Sequence, residues 1–162
     1  MSGAVAEREA LACELRDLRR AGKRIVLANG CFDLLHVGHL RYLCDARSRG
    51  DFLVVAVNTD ESVRCLKGGG RPATPLGERV ELLLGLTCVD RVVAFDESDL
   101  EATLRVLHPD VHAKGTDYTV ETVPELAVDR ELGIEVAICG DPKGHASSAL
   151  FARLTEGRED GR

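Results

Sequence analysis

Ile25-Val26-Leu27-Ala28-Asn29-Gly30-Cys31-Phe32-Asp33-Leu34-Leu35-His36-Val37-Gly38-His39 passes from an unbroken apolar run into a turn, and a helical pattern at Leu40, Leu43 and Cys44 follows. That order reads as strand, tight turn, helix start. Gly30 admits a close or left-handed backbone, and the spacing of His36 and His39 puts both rings on one side of the first helical turn. A helix N-terminus carries unpaired N–H groups and roughly half a positive charge, so two imidazoles beside it make a site for phosphate. The alternative, one histidine capping the turn and the other on the surface, leaves unexplained why a buried strand, two glycines and two histidines coincide.

Outward from this stretch the chain alternates helices and strands. Leu11, Leu15 and Leu18 recur at helical spacing within residues 6–20, and predict an amphipathic helix packed beside a first strand at Arg24 to Asn29. The helix after His36 runs to about Arg49 and stops at Gly50. Phe52-Leu53-Val54-Val55-Ala56-Val57 has no polar alternation, as expected of a strand covered on both faces of a parallel sheet. Asn58, Thr59 and Asp60 follow at its carboxyl end, where open parallel sheets bind ligands, though they serve equally as caps.

Residues 61–78 break the periodicity, and Lys67-Gly68-Gly69-Gly70-Arg71-Pro72 predicts a mobile loop with two cations, either solvated or able to close over a phosphate ligand. Thr74, with Pro75 in the first turn, opens a helix through Val80, Leu83, Leu84 and Leu86 on which Arg79 is the polar exception. Further elements are a strand Arg91 to Phe95, a helix near Ser98 to Leu107, a short strand Val111 to Lys114 ending in Gly115, a helix Thr119 to Leu132 and a strand Ile134 to Ile138. Ser147 and Ser148 open a last helix and read as caps. The expected fold is α/β, a Rossmann-like doubly wound parallel five-stranded sheet. One domain spans residues 1–162, with a core of about 23–155 and a polar tail, 156–162.

Composition narrows the function. With 44% hydrophobic and 30% charged residues the chain is an ordinary globular sequence, and a net charge of −6 with dispersed basic residues argues against nucleic acid. No signal-peptide core and no run of ~18 apolar residues is present, which predicts a cytoplasmic protein without a membrane span. Six cysteines without CxxC spacing predict no disulfide framework. Cys31, His36 and His39 offer zinc ligands only in part, since no fourth is evident, so no metal site is expected.

Gly30-Cys31-Phe32-Asp33 followed by His36-Val37-Gly38-His39 resembles the GxFD and HxGH signature of the cytidylyltransferase-like nucleotidyltransferases. Within them, Ala28 to Asn58 and Lys114-Gly115-Thr116-Asp117-Tyr118 are most similar to the adenylyltransferases that act on heptose 1-phosphate, over nearly all of residues 23–155. The resemblance implies catalytic roles for His36, His39 and Lys67. It implies ligand contacts from Asn29, Gly30, Cys31, Phe32, Asp33, Gly38, Asn58, Asp60, Arg71, Arg79, Lys114, Gly115, Asp117 and Tyr118, and from Ser147 and Ser148, where the family has a Ser/Thr-Thr element and this chain has Ala146 before two serines. Thr116 stands where relatives usually have glycine.

No Ser-His-Asp arrangement is visible, so the implied chemistry is direct nucleotidyl transfer from ATP with Mg²⁺ to a sugar 1-phosphate. A homodimer is implied too. No kinase region precedes this domain, so a separate sugar kinase is expected to supply the substrate. Two other functions stay open: a cytidylyltransferase for glycerol 3-phosphate or a similar alcohol phosphate, and a non-catalytic nucleotide- or metal-binding protein using Cys31, His36 and His39.

Overall fold

A computed structural model describes residues 2–142 and residue 152. Its strands are β1 Ile25–Gly30, β2 Phe52–Asn58, β3 Arg91–Phe95, β4 Val111–Gly115 and β5 Glu135–Cys139. They form one parallel sheet in the order β3-β2-β1-β4-β5. The helices are α1 Ser2–Arg20, α2 Val37–Ser48, α3 Asp60–Lys67, α4 Leu76–Leu84, α5 Glu101–Leu107 and α6 Leu126–Leu132.

The unbroken apolar run of β2 is explained by its two faces. Leu53, Val55 and Val57 pack with Leu43 and Ala46 of α2 and Leu83 of α4. Val54 and Ala56 pack on the opposite side with Leu11 and Leu15 of α1 and Leu104 and Leu107 of α5. Strand side chains alternate between faces, so a strand buried twice must be apolar at every position. The amino ends of the strands are tied by carboxylates: Asp110 accepts from the Ile25 N–H at 2.7 Å and Asp90 from the Leu53 N–H at 2.8 Å.

The chain winds outward from β1 through β2 to β3 on the α2 and α4 face, then returns to β4 and covers the other face with α5 and α6. Connections thus diverge at the carboxyl ends of β1 and β4, the point at which doubly wound sheets open a crevice.

Four elements differ from the sequence expectation. Within the expected loop 61–78, residues Asp60–Lys67 form α3, held by the Thr59 hydroxyl accepting from the Ser62 N–H at 3.3 Å, with Asp60 and Glu61 in the first turn and Arg64 and Lys67 in the last. The irregular segment is confined to the residues between Lys67 and Leu76, and Pro75 is the residue before α4 rather than its first. The expected helix Thr119 to Leu132 is divided: a 3-10 turn covers Val120–Thr122, and α6 starts only after Pro124, which has no N–H to contribute. Helix α1 starts at Ser2, earlier than the expected residue 6. Among the described residues no helix is long and apolar enough to cross a membrane.

Candidate active site

A cavity of about 630 Å³ opens at the carboxyl ends of the strands. On one side it is lined by His36, Gly38, His39, Asn58 and Lys67, and on the other by Lys114, Gly115, Asp117 and Tyr118, with Asn29, Gly30, Cys31 and Phe32 between them.

His36 is the N-cap of α2, and its Nδ1 accepts from the Gly38 N–H at 3.1 Å. That bond requires an unprotonated Nδ1 and leaves Nε2 as the ring's donor. Capping and facing the cavity, read from the sequence as alternatives, are both done by this one residue. The His39 ring stacks on His36 with centroids 4.0 Å apart and planes at 27°, and has Phe32 at 5.3 Å. Burial, then the neighbouring His36 and Lys67, lower the His39 pKa to about 4, so the ring is neutral in the free protein at ordinary pH. Its Nδ1 is buried with no hydrogen-bond partner among the described residues, the condition of an atom that a ligand or water would complete.

Phe32 itself adopts φ 48°, left-handed and unusual for a residue with a side chain. A methyl group on Gly30 would meet the Phe32 ring at 3.1 Å, so the glycine gives that ring room rather than supplying a left-handed backbone. Gly50 has a similar role: a Cβ there would lie 2.7 Å from the Arg24 carbonyl oxygen.

The structure places several expected contact residues away from the cavity. Asp33 is buried; it accepts from the Ala73 N–H at 2.7 Å and the Thr74 N–H at 3.0 Å and pairs with Arg71 at 2.5 Å. Arg71 is therefore not a cation on a mobile loop but a buried anchor, 8% exposed, that ties the segment after α3 to the turn after β1.

Arg79, expected against the nucleotide, is wholly buried; it donates to the carbonyls of Thr74 (3.0 Å), Cys31 (2.6 Å) and Asn58 (2.8 Å) and to Asp60 (2.7 Å). It satisfies carbonyls just past β1 and at the end of β2 that have no strand partner, and takes up Asp60, which does not line the cavity either. A planar guanidinium with five donors suits this position because the acceptors lie in several directions. Ser147 and Ser148 lie outside the described residues.

Burial raises the pKa of the Cys31 thiol, despite Lys67 and Arg79 nearby, and the thiol donates to the Asn58 side-chain oxygen at 3.6 Å. A protonated thiol in this setting is not a nucleophile. Among the described residues no group of three His, Cys, Asp or Glu side chains gathers as metal ligands.

In the other half of the cavity Lys114 is buried at 5% exposure, with its ammonium 3.2 Å from Asn29 Oδ1, 3.2 Å from Glu125 Oε2 and 4.9 Å above the Tyr118 ring. Glu125, also buried, was not among the residues the sequence singled out. Its cue, an acid beside a proline in a supposed helix, is too common to stand out. Tyr42 was missed too. Its hydroxyl donates to the Ala113 carbonyl at 2.8 Å, and burial pushes its pKa well up, so it fastens α2 to β4 as a neutral group. The Thr116 hydroxyl donates to the Asp141 carbonyl at 2.8 Å, closing the rim between the ends of β4 and β5. Phe95 at the end of β3 and Ser98 and Asp99 past it complete the cavity wall.

Comparison with known proteins agrees with this architecture. The sequence model of the family described as Cytidylyltransferase-like matches residues 27–149. The Bifunctional protein HldE of Streptomyces coelicolor is 50% identical over 133 residues, covering 82% of this chain and 29% of that protein. HldE of Syntrophotalea carbinolica is 42% identical over 154 residues, 95% of this chain and 31% of the relative. The chain thus spans about a third or less of the length of these relatives. The crystal structure of the lipopolysaccharide core biosynthesis protein from Thermoplasma volcanium superposes with a TM-score of 0.64 at 28% identity, over 75% of this chain and 99% of that one.

Proposed function

Since the chain belongs to the cytidylyltransferase-like family, we propose that its cavity joins ATP to a sugar 1-phosphate, heptose 1-phosphate, and releases pyrophosphate. The observation that carries this is one cavity with the stacked His36 and His39 and Lys67 on one side of β1 and Lys114 on the other. Two phosphate-bearing substrates then meet over the end of the central strand.

The sugar phosphate oxygen attacks the α-phosphorus of ATP and the bond to the β-phosphate oxygen breaks, with pyrophosphate carrying away the electron pair. The product is ADP-heptose. This chain contributes positioning and charge. His36 donates from Nε2 to the phosphates, its other nitrogen being fixed by Gly38. Neutral His39 supplies an N–H, and Lys67 compensates the charge that grows on the leaving pyrophosphate. The α2 N-terminus adds its unpaired N–H groups. Asp117, Tyr118 and Lys114 take the acceptor.

Magnesium, bound with the triphosphate, would screen its charge. Cavity carboxylates such as Asp99 and Asp117 suit an ion that keeps most of its waters, and no resident site of three acidic or histidine ligands stands among the described residues. A sugar acceptor is favoured by the likeness to a lipopolysaccharide core biosynthesis protein, and ATP by the Lys114 to Tyr118 turn, which follows the heptose-type pattern. We extend the proposal to a homodimer in the cytoplasm, fed by a sugar kinase activity.

The test is pyrophosphate release with each of the four common nucleoside triphosphates crossed with heptose 1-phosphate, mannose 1-phosphate and glycerol 3-phosphate. ATP with heptose 1-phosphate is expected to be fastest. A preference for CTP with glycerol 3-phosphate would replace the substrates and leave the histidine roles in place; no release with any pair would overturn the transfer.

A further inference from the structure

Behind the acceptor half of the cavity lies a buried ionisable pair that the transfer does not use. On β4, Val111 and Ala113 pack on the α2 side, so His112 and Lys114 face α5 and α6. His112 is fully buried there, opposite Leu27 of β1, at a position where an aliphatic residue would fill the space without polar cost. Asp129 of α6, also fully buried, places its two carboxylate oxygens 3.0 and 3.1 Å from His112 Nδ1. The other ring nitrogen, Nε2, is 3.4 Å from Asn29 Oδ1.

Lys114 fixes the sense of this contact. Its ammonium can only donate, so the Asn29 atom it meets at 3.2 Å is the carbonyl oxygen. With a proton on both ring nitrogens, Nδ1–H toward Asp129 and Nε2–H toward Asn29, the Asn29 amide is gripped by its oxygen from two sides, His112 behind and Lys114 beside it, and its –NH₂ is turned away from them. Were the clamp absent, the amide would be free to rotate by half a turn and present an oxygen, which repels phosphate.

We propose that His112, held by Asp129, is a positioning residue that keeps the Asn29 –NH₂ aimed at the phosphate oxygens of the acceptor and keeps Lys114 in register beside it. This rests on the cavity being a nucleotidyl-transfer site with the acceptor on the Lys114 side. His112 does not touch substrate. Its effect falls on acceptor binding and leaves the ATP side untouched.

The experiment compares steady-state kinetics of the full chain with ATP and heptose 1-phosphate in four variants, with thermal stability measured alongside. His112→Leu/Asp129→Leu removes the His112 side of the clamp and leaves Lys114 alone on the Asn29 oxygen; exchanging a buried pair for apolar side chains is often neutral or stabilising, so the melting temperature is expected to hold. KM for heptose 1-phosphate is expected to rise about tenfold, the loss of roughly one well-placed hydrogen bond, with KM for ATP within about twofold. His112→Gln/Asp129→Leu restores an N–H where Nε2 stood and is expected to recover most of the acceptor KM. Asn29→Ala is expected to raise the acceptor KM by itself and to add little on top of the Leu pair.

Equal acceptor KM in the Leu and Gln variants, additive effects of Asn29→Ala and the Leu pair, or failure of both double variants to fold would each reduce the pair to scaffolding and overturn the proposal. A wild-type chain that releases no pyrophosphate would instead refute the transfer reading beneath it.

Discussion

His36 and His39 stack ring over ring, 4.0 Å between centroids, yet only one has both of its nitrogens uncommitted to the backbone: His36 spends Nδ1 on the Gly38 N–H, while His39 Nδ1 is buried with no partner among the described residues. The first is a fixed donor and the second the ring left to respond to a ligand. Replacing His39 with alanine is expected to lower pyrophosphate release roughly 10²-fold, the usual cost of one donor to developing charge, with an unchanged circular dichroism spectrum. Release at the wild-type rate would remove His39 from the chemistry.

The same ring sets a pH dependence of stability. Its folded pKa of about 4 lies below the ordinary 6.5, so between those values the unfolded chain takes up a proton that the folded site refuses. This contribution is complete above about 6.5 and is lost as pH falls toward 4. The melting temperature of the wild type should fall relative to that of His39→Asn as pH falls across that window. A triphosphate raises the ring's pKa, so ATP binding near pH 5.5 should draw a proton from the buffer, visible in calorimetry with buffers of different ionisation enthalpy.

Asp33 accepts two backbone N–H bonds from Ala73 and Thr74 and pairs with Arg71, all far along the chain from it. Asp33→Ala is expected to cost roughly 2–4 kcal/mol, because the buried Arg71 loses its carboxylate and two backbone N–H groups lose their acceptor. Limited proteolysis should then cut between Lys67 and Leu76 much faster than in the wild type. An unchanged cleavage rate would show that other contacts hold this segment.

Arg79→Lys keeps the charge but offers one ammonium where four acceptors are spread around a plane. The urea midpoint should fall by an amount equivalent to roughly 2–3 kcal/mol. KM for ATP should rise as well, since the carbonyls of Cys31 and Asn58 that flank the cavity lose their common tie. A variant as stable as wild type would show that water replaces the guanidinium at no cost.

What could be read from residues alone followed the length over which the forces act. The strands β1 and β2 and the start of α2 announce themselves through consecutive apolar residues and a glycine turn, and β3 has the expected bounds, Arg91–Phe95. Lys67 and the two histidines line the cavity because their elements end there. Arg71 and Arg79 could not be placed in this way. In sequence both are plain cations, and a cation looks the same whether it faces a phosphate, water or a buried acceptor; what distinguishes them is Asp33 and the Cys31 carbonyl, brought up by the fold from far along the chain. Helix α3 was hidden for another reason. Eight residues with one buried aliphatic side chain, Val63, are a short and mostly polar stretch, and the cap and charge order that stabilise it are weak signals beside three glycines.

One cavity takes in both Lys67 and Lys114, so on the proposed chemistry each substrate would rest against part of it. Once the two are joined, a single molecule has the handholds of both, apart from those given up with pyrophosphate. On the proposed chemistry the nucleotide sugar is therefore the species with the longest residence time, and turnover is paced by its escape. Accumulated product should compete with both substrates at once, giving the pathway a brake that needs no separate regulatory site.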